Sequence, residues 1–534
     1  MLGNLFRKPL IALLLLFLAQ FLLLFQPEEM AWDGVFYYTY TRSVVCDGDL
    51  EMGNDLLLFY DTRDDPYFED EHFEDTLTPT GRVDNPFAIG VSLLWLPWFA
   101  LIYVLVHLAG WIGLGPTTLT CYEWPFVWGM ATVTCVYGWI SVVIGFRLAE
   151  KVVKRWIALI ASAVVMFTTP LLYYQFREPF YAHAASAMTT ALFVYAWWRF
   201  AEREDSHLGT AFLLGMLGGL TSLVRTQNIV YLVLPVLTVL FFDKSASQDC
   251  TGGAGGYKLL KVLLIVVGGL FILTLQFSVW CVFYGQPLAI PQGVEFMDWS
   301  APWTGHVLFS SFHGLLPWLP LVVPAILGLL LSARRLPGLA VPLLVAFSLQ
   351  VYVNSCVRDW FGGGGYGARR FSNTLVILLV GYACLIAWRK ERWYRLSIVA
   401  LGGLFVLHQW LILSYGFADG IGGHVVSMKP TYEFHADSIG KFTSQLVGYA
   451  PRVLQDPIRT LVLSGSPLAT TRTFTSSLCQ ILLLVGLLGA LYALRGWYRR
   501  LASRHVNPRA IRRFWLFCIV ALTLLADWWL LAFA

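Results

Sequence analysis

The segment PFAIGVSLLWLPWFALIYVLVHLA, residues 86–109, decides how the chain threads through a membrane. It carries no Lys, Arg, Asp or Glu and is apolar enough to span the roughly 30 Å hydrocarbon core of a bilayer. Counting it as a full crossing, however, inverts every later loop. Arg147, Lys151, Lys154 and Arg155 then fall outside, as do most later basic clusters, against the positive-inside bias. Read instead as a re-entrant or interfacial hairpin on the outer face, it leaves 24 of the 37 Lys and Arg residues in cytoplasmic loops.

The rest of the chain fits that frame. Of 534 residues, 57% are hydrophobic and 13% charged, about half the charged share of an ordinary soluble domain. No soluble domain can be cut out of it. Apolar runs near 9–26, 126–147, 156–175, 180–199, 209–223, 228–242, 259–281, 315–332, 338–355, 372–388, 396–415, 476–494 and 514–532 predict an all-α polytopic membrane protein of about 13 transmembrane helices. Juxtamembrane helices are expected on the outer face in the first loop. Arg7 and Lys8 precede the first run and no small-residue cleavage site follows it, so this run is expected to be retained as a helix. The organisation expected is a transmembrane module over 1–390, including a first outer loop at 27–125. C-terminal helices over 391–534 follow, with an outer loop at 416–475.

The polar residues of the outer segments carry the chemistry. Ala31-Trp32-Asp33-Gly34-Val35-Phe36-Tyr37-Tyr38 follows the first helix and lies in the stretch 27–85, which holds 16 of the 33 acidic residues. Asp33 has two readings: an interfacial helix cap beside an aromatic belt, or the general base of an enzyme at the lipid surface. Within 61–75, Asp64, Asp65, Glu69 and Asp70 are weak candidates for a hard cation, Ca²⁺ or Mg²⁺, but the spacing of an EF-hand is missing. Glu178 precedes Pro179, which suits the first turn of the next helix, and His183 lies one turn deeper. Arg225 ends another apolar run at the same level, where it can snorkel to headgroups or hold an anionic phosphate. His313 and Gly314 stand at a helix mouth. Gly362 to Gly365 then free the backbone for a close approach, ahead of Arg369 and Arg370 at a helix start, a natural anion site. The Gly-Lys-Ser/Thr ending of a nucleotide loop is missing. Nine cysteines are scattered without a CxxC; Cys46 and Cys121 could meet outside and oxidise.

The order of these motifs is specific. Trp32-Asp33-Gly34-x-x-Tyr37-Tyr38, Asp47-Gly48-Asp49-Leu50, Asn85-Pro86-Phe87, Arg177-Glu178-Pro179-Phe180, Leu223-Val224-Arg225, His313-Gly314-Leu315 and Tyr366-Gly367-x-Arg369-Arg370 occur in that sequence. Over most of 1–390 the chain resembles the bacterial membrane glycosyltransferases of the C superfamily, akin to the protein O-mannosyltransferases and lipid A aminoarabinose transferases. The resemblance implies an inverting enzyme that moves a hexosyl or pentosyl group from a polyprenyl-phosphate donor to an acceptor hydroxyl on a lipid, protein or polysaccharide. It further implies the outer, periplasmic face of a bacterial inner membrane. Asp33 maps onto the family's acidic hallmark, although Gly34 stands where many relatives have a second carboxylate.

The roles expected are Asp33 as base and Glu178 as its orienting partner. Arg225, Arg369, Arg370 and His313 would hold the donor phosphate, and Tyr37, Tyr38 and His183 would contact acceptor or sugar. No cofactor is required, although a divalent cation is compatible with the chemistry, and no nucleic acid partner is expected. The rival reading is a transporter or lipid flippase, favoured by the number of spans.

Overall fold

The computed structural model describes residues 8–25, 30, 33–61, 77–113, 119–202, 207–242, 254–310, 313–363 and 365–418. Over these the chain is helical, with only the isolated bridges Leu77–Val83 and Met297–Val357. The expected spans at 476–494 and 514–532, and nearly all of the loop expected at 416–475, lie outside the described residues. Five described helices are long and apolar enough to cross a membrane: Gly90–Trp111, Trp124–Val152, Gly255–Tyr284, Pro337–Ser355 and Arg369–Ala387. Shorter apolar helices, among them Pro9–Leu24, Arg155–Thr168, Leu208–Val224 and Val322–Ser332, accompany them. This is an α-helical membrane protein.

Proline sets several boundaries. The run expected as one helix over 156–175 breaks at Thr169-Pro170 into Arg155–Thr168 and Leu171–Phe176, because the residue before Pro avoids the helical region. Pro320 likewise separates Leu315–Trp318 from Val322–Ser332. The helix expected from residue 180 begins at His183, so Pro179 belongs to a turn rather than to its first turn of helix.

The described residues form two compact units, one drawn from 8–25, 134–269 and 292–418, the other from 30–133 and 270–291. In the larger unit, residues Leu375–Ile386 are buried on every side. Helix Val322–Ser332 approaches this segment through facing glycines. A Cβ on Gly328 would stand 1.9 Å from the Gly381 carbonyl oxygen, and one on Gly381 would stand 2.2 Å from that of Ala325. In lipid, where tails are as apolar as side chains, such backbone proximity is what holds helices together. Helix Pro9–Leu24 adds an aromatic seam, with Phe17 5.7 Å from the Trp139 ring and 6.0 Å from that of Phe176.

The smaller unit corrects the reading of 86–109. The segment is no hairpin but one unbroken helix, Gly90–Trp111, with Pro97 inside it. Its 22 residues extend about 33 Å at 1.5 Å each, a length that by itself allows a crossing, while the Cys46–Cys121 disulfide holds together the chain before and after it. The missing Pro97 N–H is a local loss that a membrane helix tolerates, and no other residue offers the turn a hairpin needs. The entry is held by the Gln276 side chain, which accepts the Ile89 N–H at 3.0 Å. Gly90, Val91, Ser92, Trp95 and Phe99 are buried, whereas Leu101, Val104, Leu105, Leu108 and Trp111 face outward.

Two short helices, Asp33–Arg42 and Met52–Asp61, precede it. Cys46 and Cys121 are joined by a disulfide that closes 75 residues. Beside it the Tyr38 hydroxyl donates to the Cys121 carbonyl at 2.6 Å, and Arg42 Nε donates to that of Thr120 at 2.7 Å. Removing a native disulfide from a unit this small costs about 2–5 kcal/mol. Reduction, or Cys46→Ser, is therefore expected to lower the thermal midpoint of the purified protein clearly. An unchanged midpoint would show that the bridge adds nothing.

Candidate functional site

The turn Arg177–Ala182 and the segment Asp359–Arg370 bring most of the predicted polar residues of the larger unit together. Tyr173 and Tyr174, both buried, lie in the middle of the short helix Leu171–Phe176. The Tyr174 hydroxyl accepts the Tyr366 N–H at 2.6 Å, and the rings of Tyr173 and Tyr366 stack at 4.6 Å. The Tyr173 hydroxyl donates to Glu178 Oε1 at 3.4 Å, so Glu178 is tied to this aromatic floor. The glycine run is what lets the segment curl over it. A Cβ on Gly365 would stand 2.6 Å from the Tyr174 hydroxyl, and Gly367 adopts φ +60 with the Trp318 ring 2.9 Å from where its Cβ would be. Gly364 lies outside the described residues.

Three guanidinium groups act on one imidazole. Arg225, just past the end of helix Leu208–Val224, places Nη1 3.0 Å from His183 Nδ1. A guanidinium can only donate, so Nδ1 accepts and the proton of the ring sits on Nε2. The His183 ring also hydrogen-bonds the Arg369 backbone and lies within electrostatic reach of Arg225, Arg369 and Arg370. The Arg369 guanidinium covers the Tyr181 ring at 5.3 Å. Arg370 donates to the Asp359 backbone oxygen at 2.9 Å and to its carboxylate at 3.2 Å. Asp359 in turn accepts the Gly363 N–H at 3.1 Å. His313 sits at φ +61, a region costly for a side chain with a Cβ. Its Nδ1 donates to the Phe361 carbonyl at 2.8 Å, tying it to the same glycine segment.

Asp33, Tyr37 and Tyr38 belong to the smaller unit. Asp33 is the half-buried first residue of helix Asp33–Arg42, where the helix dipole favours a carboxylate. Tyr37 packs on Phe87 at 5.0 Å, and Tyr38 lies on Tyr122 at 5.5 Å with its hydroxyl on the Cys121 carbonyl. Both are buried in the packing of this unit. Among the described residues no three His, Cys, Asp or Glu side chains are grouped to hold a metal ion. Asp64, Asp65, Glu69 and Asp70 lie outside the described residues.

Sequence reasoning missed Asp359, Tyr174 and Tyr181. Asp359 had a signal, an acid directly before the glycine run and opposite in charge to the arginines after it. The tyrosines had none, since aromatic residues at a membrane boundary are the rule.

No family model and no curated protein matches the chain. Among solved structures, the chain is similar to the archaeal oligosaccharyltransferase AglB from Archaeoglobus fulgidus, a structure in complex with an inhibitory peptide and a dolichol-phosphate. The TM-score is 0.44 at 13% identity, over 80% of this chain and 60% of that one. The chain thus spans about 60% of the length of that protein.

Proposed function

We propose that the protein is an inverting membrane glycosyltransferase of the C superfamily. It would transfer a sugar from a polyprenyl-phosphate carrier to an acceptor hydroxyl on the outer face of the membrane. The observation that carries this reading is the gathering of Arg225, Arg369 and Arg370 about His183, over a floor of tyrosines. Guanidinium forks suit a phosphate, and a polyprenyl phosphate leaves as an anion that needs charge stabilisation more than a proton. On this reading Asp33 takes the acceptor proton as the acceptor oxygen bonds to the anomeric carbon. The bond from that carbon to the phosphate oxygen breaks on the opposite side, which inverts the centre. Glu178 orients the reacting groups, and no cofactor is needed.

The test is release of free polyprenyl phosphate from a labelled donor by the purified protein. Movement of intact donor across a bilayer without cleavage would instead make the protein a transporter. Arg369→Ala removes a charged hydrogen-bond donor worth about 1.5–3 kcal/mol, so donor affinity is expected to fall roughly 10- to 150-fold. Unchanged donor binding would take the phosphate away from this cluster.

A further inference from the structure

The larger unit carries an apolar groove of about 590 Å³, away from the arginine cluster about His183 in sequence and in lining. This falls inside the roughly 300–1,000 Å³ range of small-molecule sites. One wall comes from helix Arg392–Ala418 through Tyr394, Ile398, Leu401 and Phe405, spaced by four, three and four residues and so on one face. The opposite wall is Val323, Leu327 and Leu331 of helix Val322–Ser332, of which Val323 and Leu327 are exposed. From Tyr394 to Phe405 the groove runs about 16 Å, close to half the roughly 30 Å hydrocarbon core. It therefore fits an extended hydrocarbon chain from one leaflet.

Charge appears at one end only. Trp388, Arg389 and Tyr394 close the groove where helix Leu375–Ala387 stops and helix Arg392–Ala418 starts. Arg335 lies over the Trp388 ring at 4.5 Å, and Arg395 lies over Trp156 at 5.7 Å while donating to the Arg389 carbonyl at 3.0 Å. Two guanidiniums are thus held in place beside an exposed third. Trp and Tyr at the same level are the side chains that settle at headgroup depth.

We infer that this groove is a binding site for an anionic phospholipid, with an acyl chain along Leu327 and Phe405 and the headgroup phosphate against Arg389. A basic pocket between helices beside an apolar channel is the form such sites take. The site is independent of glycosyl transfer.

Native mass spectrometry of the purified full chain, given phosphatidylglycerol or phosphatidylcholine with identical acyl chains, tests it. Phosphatidylglycerol is expected to be retained about fivefold better or more, from roughly 1 kcal/mol per basic residue at the surface. Arg389→Gln, at an exposed position, should abolish that preference, and Leu327→Trp, which fills the groove, should lower retention of both lipids. Equal retention of the two lipids by the native protein would overturn the assignment, as would a preference that survives Arg389→Gln or retention unaffected by Leu327→Trp. Elution of both variants as native-sized particles on size exclusion separates loss of the site from loss of the fold.

Discussion

Asp33→Asn is expected to give a folded protein that binds donor normally and transfers sugar about 10²- to 10⁴-fold more slowly, the range a positioned general base contributes. The fold tolerates this change because Asp33 is the first residue of helix Asp33–Arg42 and is only half-buried. Asn serves at a helix start about as well as Asp. If the carboxylate did nothing more than favour the helix terminus, its loss would cost about 0.3–1 kcal/mol of stability and leave turnover alone. The two readings thus differ by orders of magnitude in kcat and hardly at all in thermal midpoint. Donor titration and single-turnover transfer, measured together, separate them. An Asn variant that turns over at the native rate removes the base from Asp33.

How much of this was visible before the structure depends on the range over which each signal acts. Composition decides the helical membrane class because lipid forces the backbone to satisfy itself within each segment. Arg225, His183, Arg369 and Arg370 could be grouped because each lies at the same expected end of an apolar run, and the structure does bring them to one imidazole. What the glycine run approaches was not legible. Flexible backbone next to arginines suggests a ligand, yet Gly365 and Gly367 make room for Tyr174 and Trp318 of the protein itself. Tyr37 and Tyr38 were assigned one task although neighbours on a helix point about 100° apart. They pack on different partners, Phe87 and Tyr122. The hairpin at 86–109 failed because loop charges count crossings without describing the segment itself. Cys46 and Cys121 were visible as a pair only through the compartment, since spacing does not reveal connectivity.

The first-loop unit should lose stability as pH rises from about 4 to about 7, the reverse of the usual carboxylate behaviour. Asp55 is fully buried and pairs with Arg42, which also binds Asp47 at 2.6 Å. Burial pushes the Asp55 carboxyl up to about 7 from the ordinary 3.8, against the pull of Arg42 and helped by Asp47 and Asp49. One guanidinium shared among these carboxylates does not neutralise them all. Arg42 itself, despite its burial, is held above its ordinary value by the same acids. The folded state therefore keeps a proton on Asp55 where the unfolded chain has released it. Its contribution is complete below the unfolded value and vanishes as pH passes the folded one. Arg42→Ala leaves Asp55 buried with no cation and should cost about 3–5 kcal/mol where it must ionise. At pH 5 the carboxyl stays protonated and the loss should be much smaller than at pH 8. Adding Asp55→Asn to Arg42→Ala removes the stranded charge and should recover most of the stability lost at pH 8. Thermal unfolding of the full chain at pH 5, 7 and 8 decides the matter: an equal loss at all three values, or a double variant no better than the single, would show that packing rather than charge holds Asp55 in place.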